Sequence, residues 1–196
     1  MKTVAIIAEY NPFHNGHLYQ VNKIKELLCD EVAIIAIMSG NYTHRGEMAF
    51  MDKEVRSKCA LDAGVDLVLE LPFPYSMSSA EFFAKSGVKI ANELGTVDYL
   101  AFGCEFDEPD KLYTIADNML KPEYTERLTE LFSDSEHREY GYPKLCEMAY
   151  VSCYGGSPEG IFEPNNILGL EYLKALSETN SNITPLPITR KGSGYN

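Results

Sequence analysis

The 196-residue sequence predicts an α/β fold, a Rossmann-like doubly wound parallel sheet with a helical insertion or lobe. Three observations predict it. Short, continuous apolar runs at residues 4–8, 32–38, 65–69 and 99–102 read as strands buried on both faces. A segment of helical periodicity or a helix cap follows each of the first three, which is the alternation that builds a parallel sheet. Beyond Asp107 the strand signal fades into helical periodicity.

The first run ends at Glu9-Tyr10-Asn11-Pro12, a turn signal, after which Leu18, Val21, Ile24, Leu27 and Leu28 recur at helical spacing opposite Lys23, Lys25 and Glu26. The second ends at Ser39-Gly40-Asn41, and a helix is predicted from Asp52, a candidate cap, to Ala63. The third, at 65–69, is closed by Glu70-Leu71-Pro72-Phe73-Pro74, with a helix predicted over 79–94. The fourth opens onto Gly103-Cys104-Glu105.

Helices are then predicted over 111–120, 123–132 and 142–153, placing a mainly helical segment at about residues 107–160 of a single domain spanning 1–196. Asn165 or Asn166 is positioned to cap a further helix carrying Ile167, Leu170, Leu173 and Leu176 on one face. A last strand is expected over 183–189, and Pro185 and Pro187 place it at a sheet edge.

Hydrophobic residues are 45% and charged residues 23% of the chain, which excludes a disordered or fibrous class. Cys29, Cys59, Cys104, Cys146 and Cys153 are odd in number and lack a C-x-x-C pair, so a reduced, cytoplasmic setting is expected. The run at 4–8 is too brief for a signal-peptide core or a membrane span, and no membrane partner is predicted. A net charge of −12 argues against sequence-independent attraction to nucleic acid, but leaves room for a local anion pocket.

In an open parallel sheet ligands sit beyond the carboxyl ends of the strands. After strand one, Asn11-Pro12-Phe13-His14-Asn15-Gly16-His17 sets two imidazoles three residues apart at a helix entrance, with glycine between them. A helix N-terminus offers free N–H groups and partial positive charge to a phosphate, and Gly16 removes bulk where a nucleotide meets the backbone. His14 and His17, one turn apart, are the candidate catalytic pair: both can donate to phosphate oxygens as charge builds on an α-phosphorus. Asn11 has an amide suited to fixing the loop. The competing reading of His-x-x-His, half of a metal site, uses neither the glycine nor the strand end, so no metal site is assigned.

His14-Asn15-Gly16-His17 resembles the H-x-G-H signature of the nucleotidyltransferase and class I aminoacyl-tRNA synthetase superfamily. Further segments narrow the likeness: residues 8–17, Met38-Ser39-Gly40-Asn41-Tyr42-Thr43-His44-Arg45-Gly46-Glu47, Asp66-Leu67-Val68-Leu69-Glu70-Leu71-Pro72, Pro164-Asn165-Asn166-Ile167-Leu168-Gly169 and Arg190-Lys191-Gly192-Ser193-Gly194-Tyr195. Together they resemble the bacterial tRNA(Met) cytidine acetate ligase family, in order and over nearly the whole chain.

The resemblance implies an enzyme that activates acetate with ATP, accompanied by Mg2+, and passes the acetyl group to the wobble cytidine of elongator tRNA(Met). It implies that Ile7, Ala8, Glu9, Tyr10, Asn11, Pro12, Phe13, His14, Asn15, Gly16, His17, Leu18, Tyr19 and Gln20 hold the nucleotide, with Gly103, Asn165 and Arg190. Arg190 suits a triphosphate chemically, although composition alone reads it as a solvated terminal arginine, and Asn165 reads equally as a helix cap. Ser39, Gly40 and Arg45 are candidate contacts for a second substrate; Glu70 and Glu105 are candidate water-mediated magnesium contacts or helix-capping charges.

The sequence departs from the family at His44, where glutamine is expected, and at Met48, where proline is. Family members also continue into a largely helical half that helps hold tRNA, which this chain is expected to lack, so tRNA is expected as a partner of a full-length form. Two alternatives stand beside this reading: a small-molecule nucleotidyltransferase transferring adenylyl or cytidylyl groups, and a non-catalytic nucleotide-binding module.

Overall fold

The computed structural model describes residues 1–29, 31–105, 109–157 and 159–189, with only the backbone of Pro109, Pro164 and Asn165. Five parallel strands form one sheet: β1 (Lys2–Ala8), β2 (Val32–Ser39), β3 (Leu67–Leu71), β4 (Tyr99–Cys104) and β5 (Thr184–Thr189). Their order is β3-β2-β1-β4-β5. The chain winds outward from β1 through β2 to β3, then crosses back to lay β4 on the other side of β1. That reversal opens a crevice between the carboxyl ends of β1 and β4.

Alternation along β1 explains the layering. Val4 and Ile6 pack with Val21 and Ile24 of α1 (Asn15–Leu28) and with Ala60 of α2 (Lys53–Asp62). Ala5 and Ile7 face the opposite way, toward Phe83, Ala84 and Val88 of α3 (Ala80–Glu93). A strand buried on both faces must be apolar throughout, which is why its sequence shows no period of two. The expected doubly wound sheet is thus formed.

The helical segment contains α4 (Pro109–Met119), α5 (Pro122–Ser133) and α6 (Tyr142–Tyr154). α5 packs on α6, and α4 on α7 (Pro164–Glu178), which also lies along α3. Tyr124, Leu131, Leu145 and Ala149 belong to the same buried cluster as Leu100 and Phe102 of β4, so the lobe and one face of the sheet share a core.

Three local expectations are corrected. The third strand begins at Leu67 and not at residue 65, because Val65 is still tied to the exit of α2 through its N–H to Ala60 O (3.1 Å), just after Gly64 at φ +97°. Asp66 then engages β2, donating its N–H to Ile34 O (2.9 Å) and accepting Ile34 N–H on its carboxylate (2.8 Å). The cap of α7 is neither asparagine: Pro164 opens the helix after Glu163, and Asn166 lies inside the first turn. Asp52 occupies the cap position of α2 but its side chain makes no capping bond.

β5 pairs only with β4, at the edge where its two prolines are tolerated. Among the described residues no helix is long and apolar enough to cross a membrane, and all five cysteines are free thiols.

Candidate nucleotide-binding site

A cavity of about 350 Å3 fills the crevice at the β1–β4 reversal. Ile7, Ala8, Glu9, Tyr10, Asn11, Pro12, His14, Gly16, His17, Tyr19, Gln20 and Gly103, all expected around a nucleotide, line it together. Phe13, Asn15 and Leu18 do not: Phe13 packs its ring on Tyr10 (4.9 Å between centroids) and His17 (5.4 Å), and Leu18 is turned to solvent. The Asn165 side chain and Arg190 lie outside the described residues.

The two histidines cap their own helix. His14 sits at the N-cap in extended geometry, its Nδ1 accepting Gly16 N–H at 3.0 Å. His17, at the third helical position, reaches back so that its Nδ1 accepts His14 N–H at 3.2 Å. This is a capping box built from imidazoles. Because each Nδ1 is an acceptor, each neutral ring carries its proton on Nε2. The rings stack with centroids 3.8 Å apart and planes 21° apart, so both donors are carried side by side at the mouth of the helix. Tyr10 meets His17 edge-on at 4.9 Å and holds the pair from below.

Gly16 is needed first for this cap: a Cβ there would stand 2.9 Å from His14 Cε1 and 3.1 Å from Nδ1. The cap also takes up the Gly16 amide. An anion approaching this end would meet the positive end of the helix dipole and the edges of the two imidazoles. Among the described residues no lysine or arginine lines the crevice, and none of their His, Cys, Asp and Glu side chains form a group of three placed to hold a metal ion.

The loop before α1 is pinned to the segment after β2. Asn11 Oδ1 accepts Phe50 N–H at 2.6 Å, the amide role expected of it. Glu9 Oε1 accepts both the His44 main-chain N–H (2.6 Å) and Nδ1 (3.0 Å). Burial works to raise the Glu9 pKa, yet these hydrogen bonds and the nearby charges of His44 and Arg45 hold it below the usual carboxylate value. The buried Arg56 guanidinium lies beneath, donating to the carbonyls of Glu9, Ser39, Gly40 and Met51.

The candidate second-substrate residues Ser39, Gly40 and Arg45 do not line the crevice. Ser39 is buried, Gly40 abuts the Glu70 carboxylate, and Arg45 is exposed on the loop beside His44. Glu70 pairs with Lys53 at 2.7 Å, and Glu105 gives its N–H to Asn166 Oδ1 at 2.9 Å. The Asn166 amide donates in turn to Gly160 O (2.8 Å), joining the end of β4 to the start of α7.

The family model described as HIGH Nucleotidyl Transferase matches residues 1–196. The chain belongs to that family. The tRNA(Met) cytidine acetate ligase of Halothermothrix orenii is 42% identical over 205 residues, covering 100% of this chain and 48% of the relative. That of Clostridium novyi is 44% identical over 200 residues, covering 100% and 49%. The crystal structure of Thermotoga maritima TmcAL bound with alpha-thio ATP matches at a TM-score of 0.83 and 36% identity, over 98% of this chain and 47% of that one. The chain thus spans about half the length of the relatives it matches.

In this HIGH nucleotidyl transferase, several lining residues escaped sequence reasoning. Phe83, Phe102, Leu168, Tyr172 and Ile188 form the apolar wall; His44, expected with Arg45 on the loop where a second substrate could approach, does reach the lining from the hairpin after β2. Leu168 and Tyr172, four apart on α7, lie outside the apolar face of Ile167, Leu170, Leu173 and Leu176 that the periodicity marked. Arg56 carried no signal beyond being a cation on a polar helix.

Proposed function

We propose that this chain is the ATP- and acetate-activating part of a tRNA(Met) cytidine acetate ligase. The carrying observation is the crevice at the β1–β4 reversal, which opens on stacked His14 and His17 at the N-terminus of α1. The names of relatives above 40% identity support the substrate assignment.

In the proposed reaction an acetate oxygen attacks the α-phosphorus of ATP, the bond to the β-phosphate oxygen breaks, and pyrophosphate leaves. Cytidine N4 of the wobble base in elongator tRNA(Met) then attacks the acetyl carbonyl carbon; the carbonyl–phosphate bond breaks, AMP departs and N4 loses a proton. His14 and His17 donate from Nε2 to phosphate oxygens as negative charge moves onto pyrophosphate. Gly103 and those residues of the stretch 7–20 that line the crevice form the nucleotide cradle, and the family resemblance assigns Arg190 and Asn165 to the same nucleotide. The wall of Phe83, Phe102 and Tyr172 excludes water from the acyl-adenylate.

Glu9, the carboxylate among the crevice lining, would be the residue to hold a Mg2+ that accompanies the triphosphate, and the ion would supply charge neutralisation there. The setting is cytoplasmic, consistent with free thiols at Cys29 and Cys59. The test is acetate-dependent exchange of labelled pyrophosphate into ATP by this chain. Exchange that needs acetate supports the reading; exchange driven instead by a phosphorylated small molecule, or ATP binding without exchange, replaces it.

A further inference from the structure

Arg56 is 1% exposed, and among the described residues it has no carboxylate partner within ion-pair distance. It spends its donors on main-chain oxygens from three segments. Nη1 reaches Glu9 O (2.6 Å) at the end of β1 and Ser39 O (3.0 Å) at the end of β2; Nη2 reaches Gly40 O; Nε reaches Met51 O (2.9 Å) just before α2. Removing a guanidinium from water is costly unless its donors are satisfied, so this position selects a fork of fixed geometry.

Arg56 turns positive charge onto the carbonyl oxygens that follow β1 and close β2, of which that of Glu9 belongs to a residue lining the crevice. Burial lowers its pKa, countered by the charges of Glu9, Glu70, Asp52 and Glu54.

Glu9 O is the hinge of the arrangement. The next residue, Tyr10, is left-handed at φ +49°, and four residues further on stands His14. Asn11 and Glu9 make two more ties to the same partner segment, through Phe50 N–H and His44 N–H. The shape of the loop that delivers the imidazole cap is therefore set from the segment at 40–51, and Arg56 joins the two.

We propose that Arg56 is a positioning residue for the adenylylation site: it fixes the loop from Glu9 to His14 and so aims the His14–His17 pair at the phosphates. The activity readout rests on the proposed function, whereas the loop readout does not.

The test uses the full chain with Arg56→Lys, which keeps the charge and loses the fork, and Arg56→Met. Ala60→Gly, buried on the same helix and away from these carbonyls, is the control for lost stability. Amide hydrogen exchange in the nucleotide-free protein reports the loop directly, since His14, Gly16 and His17 N–H groups are all bonded there.

Arg56→Lys is expected to speed exchange over residues 9–17 while the β-strand amides keep theirs. It should also lower kcat of acetate-dependent pyrophosphate exchange by about 10- to 100-fold per folded molecule, with KM for ATP moving less than about three-fold. Ala60→Gly should leave kcat per folded molecule unchanged. If Arg56→Met does not fold, Arg56→Lys still decides. Protection over 9–17 equal to the parent's in Arg56→Lys overturns the proposal, whatever the activity. Absence of acetate-dependent exchange in the parent overturns the proposed function alone.

Discussion

Glu9 and His44 are joined twice, the carboxylate oxygen accepting both the main-chain N–H and the ring Nδ1 of the histidine. The pair ties the end of β1 to the hairpin after β2 at the wall of the crevice. The folded-state pKa of Glu9 is depressed below the usual carboxylate value, against the upward push of burial. A depressed carboxylate contributes stability that is present above its unfolded pKa and is lost as pH falls through the folded value. Glu9→Gln should therefore be less stable than the parent at neutral pH, with the gap closing below about pH 4.5. Urea denaturation from about pH 7 to about pH 3 would show it; a gap that persists unchanged through the acid range would count against the assigned ionisation.

The imidazole capping box separates stability from chemistry. His17→Asn keeps a side-chain oxygen able to accept His14 N–H but removes the Nε2 donor. It should fold with nearly parental stability and lose about 10- to 1,000-fold in exchange turnover, while ATP affinity changes little, because the donor acts mainly on charge developed in the transition state. His14→Ala removes the N-cap acceptor itself and should cost about 1 kcal/mol in thermal or urea unfolding besides. Parental turnover in His17→Asn would remove the histidine from the chemistry.

The sheet and the loop at its heart were legible because strands buried on both faces and a helix entrance write themselves as contiguous residues. Val4 to Ile7 are apolar without interruption since each faces a core, and the crevice floor follows from where β1 ends. Residues that reach the site from elsewhere in sequence were not legible. Phe83, Leu168 and Tyr172 come from helices whose apolar positions look like any core stripe, and only the fold decides which end of the stripe borders the cavity. Arg56 and Asn166 are the clearest case: each satisfies main-chain groups of another segment, and no local pattern announces such a partner. The same logic misplaced the cap of α7, where Asn166 is held inward by Glu105 N–H and Gly160 O.

Asn166→Ala should therefore cost more than loss of an ordinary cap. It removes the acceptor of the Glu105 N–H and the donor to the Gly160 carbonyl, a loss of about 1–3 kcal/mol for each of these bonds that water does not replace. Asn166→Asp keeps the acceptor for Glu105 N–H but sets a carboxylate against Gly160 O, so it should be intermediate or worse. Urea unfolding of both variants checks this, and parental stability in Asn166→Ala would show that water replaces the bonds without loss.

Gly169 tests the apolar wall. A Cβ there would come within 2.9 Å of Phe102 Cε2, and Phe102 lines the crevice beside Gly103. Gly169→Ala must displace the ring, with an overpacking cost of about 1–3 kcal/mol offset in part by the helix propensity gained over glycine. The displaced ring narrows the cavity, so KM for ATP should rise even where the variant is fully folded. An unchanged KM would mean that Phe102 moves away from the crevice.

Glu171 and Lys174 form a buried ion pair on α7, 1% and 7% exposed, with Nζ 2.9 and 3.1 Å from the two carboxylate oxygens. The Tyr142 hydroxyl donates to the same carboxylate at 2.7 Å, linking α6 to α7. Two desolvated charges gain little net stability from each other, but removing one strands the other. Lys174→Met should cost about 3–5 kcal/mol, whereas the double change Glu171→Leu with Lys174→Met should recover most of that loss. The pair stands apart from the crevice lining, so pyrophosphate exchange per folded molecule should survive in the double variant. Chemical denaturation of the two single variants and the double one gives the coupling directly. Single-variant losses below about 1 kcal/mol would place the pair among ordinary solvated ion pairs and contradict its burial.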